Sequence, residues 1–142
     1  MTMTTPRILL ADDEDLFAVM LQRSLAMFGY DVVRARNGRE ALAAYNPAGF
    51  GLVITDLIMP DMEGVELIVA LRKVNPAVKI IAMSGGGRNH PQAYLSIAER
   101  IGAVKSLAKP FPITALVQAI EECLRAAPAS APQPPATAPV TE

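Results

Sequence analysis

The chain has 142 residues, of which 13 are Lys or Arg and 14 are Asp or Glu. Its net charge of -1 makes neither nucleic acid nor an anionic membrane the expected main partner. The length suits one domain with its own core, and the single cysteine, Cys123, excludes an intrachain disulfide framework and points to a reducing compartment. No apolar run approaches the ~20 residues of a membrane span, and "MTMTTPR" lacks a signal-peptide core, so a cytoplasmic protein is expected.

In chain order, residues 1–6 read as an extension. The stretch "RILLADDEDLF" then opens a folded domain, expected over 7–126, with a strand at Ile8-Leu9-Leu10-Ala11 that runs straight into Asp12, Asp13, Glu14 and Asp15. Phe17, Met20, Leu21, Leu25 and Phe28 follow at helical spacing, with Gly29 as the stop signal. A second strand at Val32-Val33 precedes a helix starting near Gly38. A third at Leu52-Val53-Ile54-Thr55 precedes a helix starting near Gly64 and ending before Asn75-Pro76. The fourth strand is expected over Val78–Met83 and is followed by Gly85-Gly86-Gly87, which lacks the Lys-Ser/Thr of a nucleotide loop and reads as a mobile loop. His90, the only histidine, has no metal-ligating neighbour and reads as a helix-start residue. Tyr94, Ile97, Ala98 and Ile101 form the next helical stripe, closed by Gly102, and a fifth strand runs from Ala103-Val104 toward Leu107. The last helix follows Pro112 with Ile113, Leu116, Val117, Ile120 and Leu124. Residues 127–142, rich in Pro and Ala and almost without large apolar side chains, read as a disordered tail.

Nearly continuous apolar strands alternating with helices imply a parallel sheet covered on both faces. Right-handed crossovers then bring every strand C-terminus to one edge. Asp12 and Asp13 after the first strand, Asp56 after the third, Ser84 after the fourth and Lys109 after the fifth become neighbours there. Helix capping accounts for one or two acids of the first cluster, since carboxylates satisfy free N–H groups at a helix start. It does not account for acids from two strands at the edge where such sheets hold ligands. Carboxylates a few Å apart repel by about 4 kcal/mol per pair at an effective dielectric of 20, and one Lys is not enough to offset this. An all-oxygen set with few direct carboxylates is the pattern for Mg²⁺ and suits phosphoryl transfer.

The set Asp12-Asp13, Asp56 in "VITDLIMPDMEG", Ser84 in "IIAMSGGG" and Lys109-Pro110-Phe111 closely resembles the receiver domains of two-component response regulators, over about residues 7 to 125. The resemblance implies a (βα)5 flavodoxin-like, doubly wound parallel five-stranded sheet of order 2-1-3-4-5. It implies that Asp56 accepts a phosphoryl group from a sensor histidine kinase, so that the protein switches state rather than turning over substrate as a conventional enzyme. Asp13, Asp56 and the backbone carbonyl of Ile58 would hold Mg²⁺ directly and Asp12 largely through water, while Ser84 and Lys109 would contact phosphoryl oxygens. Lys109-Pro110 would be cis. The chain departs from the pattern at Ser106, where most family members carry Tyr or Phe. That puts the usual aromatic coupling in doubt and leaves the Gly-rich loop and the fourth predicted helix to carry the signal. Ile58 and Gly86, at positions that modulate dephosphorylation in the family, offer no side chain to orient water, so a long-lived phosphoryl group is expected. No DNA-binding module is recognisable, and the expected output is docking on a target protein or transfer to a histidine phosphotransferase. The alternatives are a Mg²⁺-dependent small-molecule phosphatase, or a pseudo-receiver that binds partners without phosphate.

Overall fold

The apolar runs become five parallel strands because their side chains alternate between two buried layers. A computed structural model describes residues 6–57, 59, 64–84, 99–100 and 105–125. The strands are β1 (Arg7–Ala11), β2 (Asp31–Ala35), β3 (Leu52–Asp56), β4 (Ile80–Ser84) and β5 (Lys105–Ala108). The described helices, numbered here in chain order, are α1 (Asp15–Met27), α2 (Gly38–Ala44), α3 (Gly64–Val74) and α4 (Ile113–Arg125). All strand pairs are parallel and the order is β2-β1-β3-β4-β5, as the resemblance implies.

Leu9, Ala11, Val53, Ile80 and Ala82 face one side of the sheet, where Ala41 of α2 and Leu67, Ile68 and Leu71 of α3 cover them. Ile8, Leu10, Leu52, Ile54, Ile81 and Met83 face the other, against Ala18, Leu21 and Leu25 of α1 and Leu116, Ile120 and Cys123 of α4. This period-two division explains why the strand sequences read as unbroken hydrophobic runs. Full burial of each such Leu or Ile stabilises the fold by about 1.5–3 kcal/mol.

Local signals fix where the helices start and stop. Gly29 takes φ 91°, and the Tyr30 and Gly29 amides donate to Leu25 O and Ala26 O, so α1 ends in a left-handed cap. Asn37 caps α2 by accepting from the Glu40 amide at 2.8 Å, while the Glu40 carboxylate accepts from the Arg36 amide at 2.9 Å.

Some expected boundaries and faces shift. Met20 and Phe28 are half exposed rather than part of the α1 core stripe, which runs through Ala18, Leu21 and Leu25 with Phe17 packed at its edge. Met20 lies ~100° around the helix from Leu21, and Phe28 falls in the cap where helical spacing no longer holds. The fourth strand begins at Ile80, two residues past the buried Val78, and the fifth spans Lys105–Ala108. The tail at 127–142, the Gly85-Gly86-Gly87 loop, His90, Ala103-Val104 and the stripe from Tyr94 to Ile101 lie outside the described residues, apart from the helical pair Glu99 and Arg100. No helix among the described residues is long and apolar enough to cross a membrane.

Candidate functional site

Strand register brings the chemistry to one edge. Ala11 pairs with Ala35 on one side and Thr55 on the other, Asp56 pairs with Met83, and Ser84 pairs with Ala108. The residues at and just after these ends therefore crowd together.

Asp12 is fully buried, Asp56 nearly so and Asp13 exposed, and each offers a carboxylate oxygen such that all three lie within 4.8 Å of one another. The Lys109 ammonium reaches in from the fifth strand's end to 3.2 Å from Asp12 Oδ2, 3.3 Å from Asp56 Oδ2 and 3.3 Å from Glu14 Oε1. It lies 4.1 Å from the centre of the Phe17 ring, which stands edge-on to Phe111. The Lys109 amide donates to Ser84 O at 2.6 Å, and the Lys109-Pro110 bond is cis, as expected.

Electrostatics inside this cluster are unbalanced. Burial raises the Asp12 carboxyl above its ordinary value and outweighs the bond from the Glu14 amide and the charge of Lys109. Burial opposes the charge on Lys109, but Asp56 and Asp12 together outweigh it and its pKa is raised, so the ammonium stays protonated. Among the described residues one ammonium faces three carboxylates, those of Asp12, Glu14 and Asp56, and Asp13 makes no ion pair. An all-oxygen donor set with excess negative charge fits a hard divalent cation such as Mg²⁺.

Ser84 Oγ is buried without a hydrogen-bond partner among the described residues. A buried hydroxyl without an acceptor costs roughly 1–3 kcal/mol, so this group has a hydrogen bond to give beyond the described residues.

The backbone under Asp56 is held from two sides. Thr55 Oγ1 donates to Asp56 O at 2.8 Å, and the Gly64 amide donates to Leu57 O at 3.0 Å. At Gly64 a Cβ would stand 2.1 Å from Asp56 O and 2.6 Å from Leu57 Cα, so only glycine lets α3 start this close to the acid.

Asp12, Asp13, Asp56, Ser84 and Lys109 are thus gathered as expected, while Ile58 and Gly86 lie outside the described residues. Ser106 is half buried on β5, and its hydroxyl donates to the Glu99 carboxylate. A polar contact stands where an aromatic ring was the familiar expectation. The sequence reading missed Arg34, Phe17 and Thr55 as site neighbours. The signal for Arg34 was present, as the one cation in the otherwise apolar "VVRA" run, but the direction in which its side chain reaches was needed to use it.

A model of the response regulator receiver domain matches residues 8–121. The chain is 34% identical over 117 residues to the chemotaxis protein CheY of Thermotoga maritima, covering 82% of this chain and 95% of that protein. It is 37% identical over 123 residues to the DNA-binding transcriptional regulator NtrC of Azospirillum brasilense, covering 86% of this chain but only 25% of NtrC. Among solved structures, a response regulator receiver domain from Clostridium thermocellum superposes with a TM-score of 0.79 at 27% identity, covering 84% of this chain and 94% of that one.

Proposed function

Because the chain belongs to the response regulator receiver domain family, we propose that it is a phosphorylation-switched signalling module whose phosphoacceptor is Asp56. Receiver domains take their phosphoryl group from histidine kinases and act as signalling modules rather than conventional turnover enzymes.

One carboxylate oxygen of Asp56 attacks the phosphorus of a phosphohistidine on the kinase. The P–N bond breaks, its electron pair leaves on the imidazole, and an acyl phosphate forms on Asp56. Asp13 and Asp56, with the Ile58 carbonyl, would hold Mg²⁺ directly, and Asp12 would do so through water. When bound, Mg²⁺ supplies positive charge beside the phosphoryl oxygens. Lys109 stays protonated, keeps the Asp56 carboxylate oriented and stands ready for the added charge. Ser84 donates its hydroxyl, without a partner among the described residues, to a phosphoryl oxygen. As Asp56 goes from one negative charge to about two, both contacts strengthen.

The observation that carries this reading is the Ser84 hydroxyl, without a partner among the described residues, at the same sheet edge as a cluster of three carboxylates, two of which one lysine bridges. The receiver is proposed to span residues 7–126, to work in the cytoplasm and to signal by docking a target protein or by passing phosphate to a histidine phosphotransferase.

The test is intact mass after incubation with Mg²⁺ and acetyl phosphate. The native chain is expected to gain one phosphate and Asp56→Asn none, and the adduct is expected to outlast several minutes in Mg²⁺ buffer. Equal labelling of both proteins would assign the acceptor elsewhere, and no labelling of either would overturn the phosphoacceptor role.

A further inference from the structure

Arg34 lies on β2, outside the set of residues the mechanism uses, yet its guanidinium spans the acidic loop. Its Nε and Nη2 both donate to the Asp12 carbonyl oxygen, at 3.1 and 2.8 Å, while Nη1 stands 2.8 Å from Asp15 Oδ1. Only 12% of the Arg34 side chain is exposed, against 71% for Asp15. The Asp12 amide donates to Ala35 O at 3.1 Å, so the last two residues of β2 hold both polar groups of one peptide-chain residue. The Asp12 side chain is engaged as well, Oδ1 accepting from the Glu14 amide at 2.9 Å and Oδ2 facing Lys109 at 3.2 Å.

We propose that Arg34 is a positioning residue for the divalent cation: by gripping the Asp12 carbonyl and the Asp15 carboxylate together, it holds the chain so that Asp12 and Asp13 converge on Asp56. This rests on the reading of the acidic pocket as a Mg²⁺ site. Four consecutive acids repel one another, and without a clamp the loop relieves that repulsion by swinging toward solvent.

The chain divides the work between two cations. Lys109 faces inward to Asp12, Glu14 and Asp56, while Arg34 takes Asp15 on the outer side. Asp13 alone of the four loop acids has no ion pair among the described residues, which leaves its carboxylate to the metal. A planar fork with donors in fixed directions can hold two acceptors at once, and a lysine ammonium cannot reproduce that geometry.

Removing an outer partner that orients metal ligands weakens metal affinity by about 10- to 100-fold. Isothermal titration of the full chain with MgCl₂ is therefore expected to show Arg34→Met binding about 10-fold more weakly and Arg34→Lys about 3-fold more weakly than the native protein. At saturating Mg²⁺, both variants should still reach the native extent of acetyl-phosphate labelling. Unchanged Mg²⁺ affinity in the variants, with only a lower melting temperature in EDTA, would reduce Arg34 to a structural tie and overturn the proposal. If Arg34→Met does not fold, Arg34→Lys decides alone, and native affinity in it overturns the proposal. A native chain that takes no phosphate, while the Arg34 variants still lose Mg²⁺ affinity, would sink the phosphoacceptor reading and leave the positioning role standing. A native chain that binds no Mg²⁺ would sink the positioning role itself.

Discussion

Lys109 shows how much a single side chain carries at this site. Its ammonium is nearly buried and stands 3.2 to 3.3 Å from three carboxylates, of which Asp12 is wholly removed from solvent. Lys109→Met leaves Asp12 and Asp56 facing each other without that charge. The expected loss of stability in EDTA at pH 7 is about 3 kcal/mol, the scale for a buried ion pair robbed of one partner. Mg²⁺ should restore part of it, and urea unfolding with and without MgCl₂ would show this. An unchanged midpoint in EDTA would refute the electrostatic account. At Cys123, burial pushes the thiol above its ordinary value of 9.0, with Lys105 and Lys79 pulling the other way. The unfolded chain therefore gives up this proton first as pH rises. The contribution is fully present below pH 9.0 and is lost on going up toward the folded-state value. Native protein should lose more stability between pH 9 and 10 than Cys123→Ala, measured by denaturant unfolding, and parallel curves would show that the thiol does not matter. The strand-end residues Asp12, Asp13, Asp56, Ser84 and Lys109 were legible in the sequence because parallel strands bring their C-termini together. Arg34 was not, because its contacts with the Asp12 carbonyl and the Asp15 carboxylate depend on where one long side chain on β2 reaches, which neither periodicity nor strand order specifies.

Two glycines at element ends separate backbone strain from steric contact. Gly29 closes α1 at φ 91° with nothing within 4 Å of where a Cβ would be, whereas at Gly64 a Cβ would meet Asp56 O at 2.1 Å. Gly29→Ala should cost about 1–2 kcal/mol from the left-handed conformation alone, and phosphorylation of Asp56 should be unaffected. Gly64→Ala should cost about 1–3 kcal/mol through overpacking and also slow acetyl-phosphate labelling, because the atoms that must yield belong to the backbone of Asp56, the proposed acceptor, and Leu57. Labelling rates equal in the two variants would show that the close approach has no bearing on the site. Element positions were largely readable. The Gly29 stop, the helix starts at Gly38 and Gly64 and the Pro112 start all match helix boundaries. The errors at Met20 and Phe28 arose because a hydrophobic residue near the right spacing is not thereby on the inner face.

At the scale of the molecule, two core layers share one sheet, so loosening either one bares a whole face of the same strands. Leu67→Ala on the α3 side and Leu25→Ala on the α1 side should each cost about 2–5 kcal/mol. Both should preserve a single cooperative transition with the native urea m value, whereas two resolved transitions would mean the layers are independent. The alternating core was legible from the unbroken apolar runs. The order 2-1-3-4-5 was not derivable from them and entered through the family resemblance, since many orders satisfy the same burial pattern. Between these layers, Gly64 leaves no slack between the first turn of α3 and the Asp56 carbonyl. The 11 residues of α3 make a body about 16 Å long, butted at its first residue against the Asp56 backbone. Any side chain at the first residue of α3 would press on the Asp56 carbonyl, so the spacing between this helix and the sheet edge is set by the absence of a single methyl group.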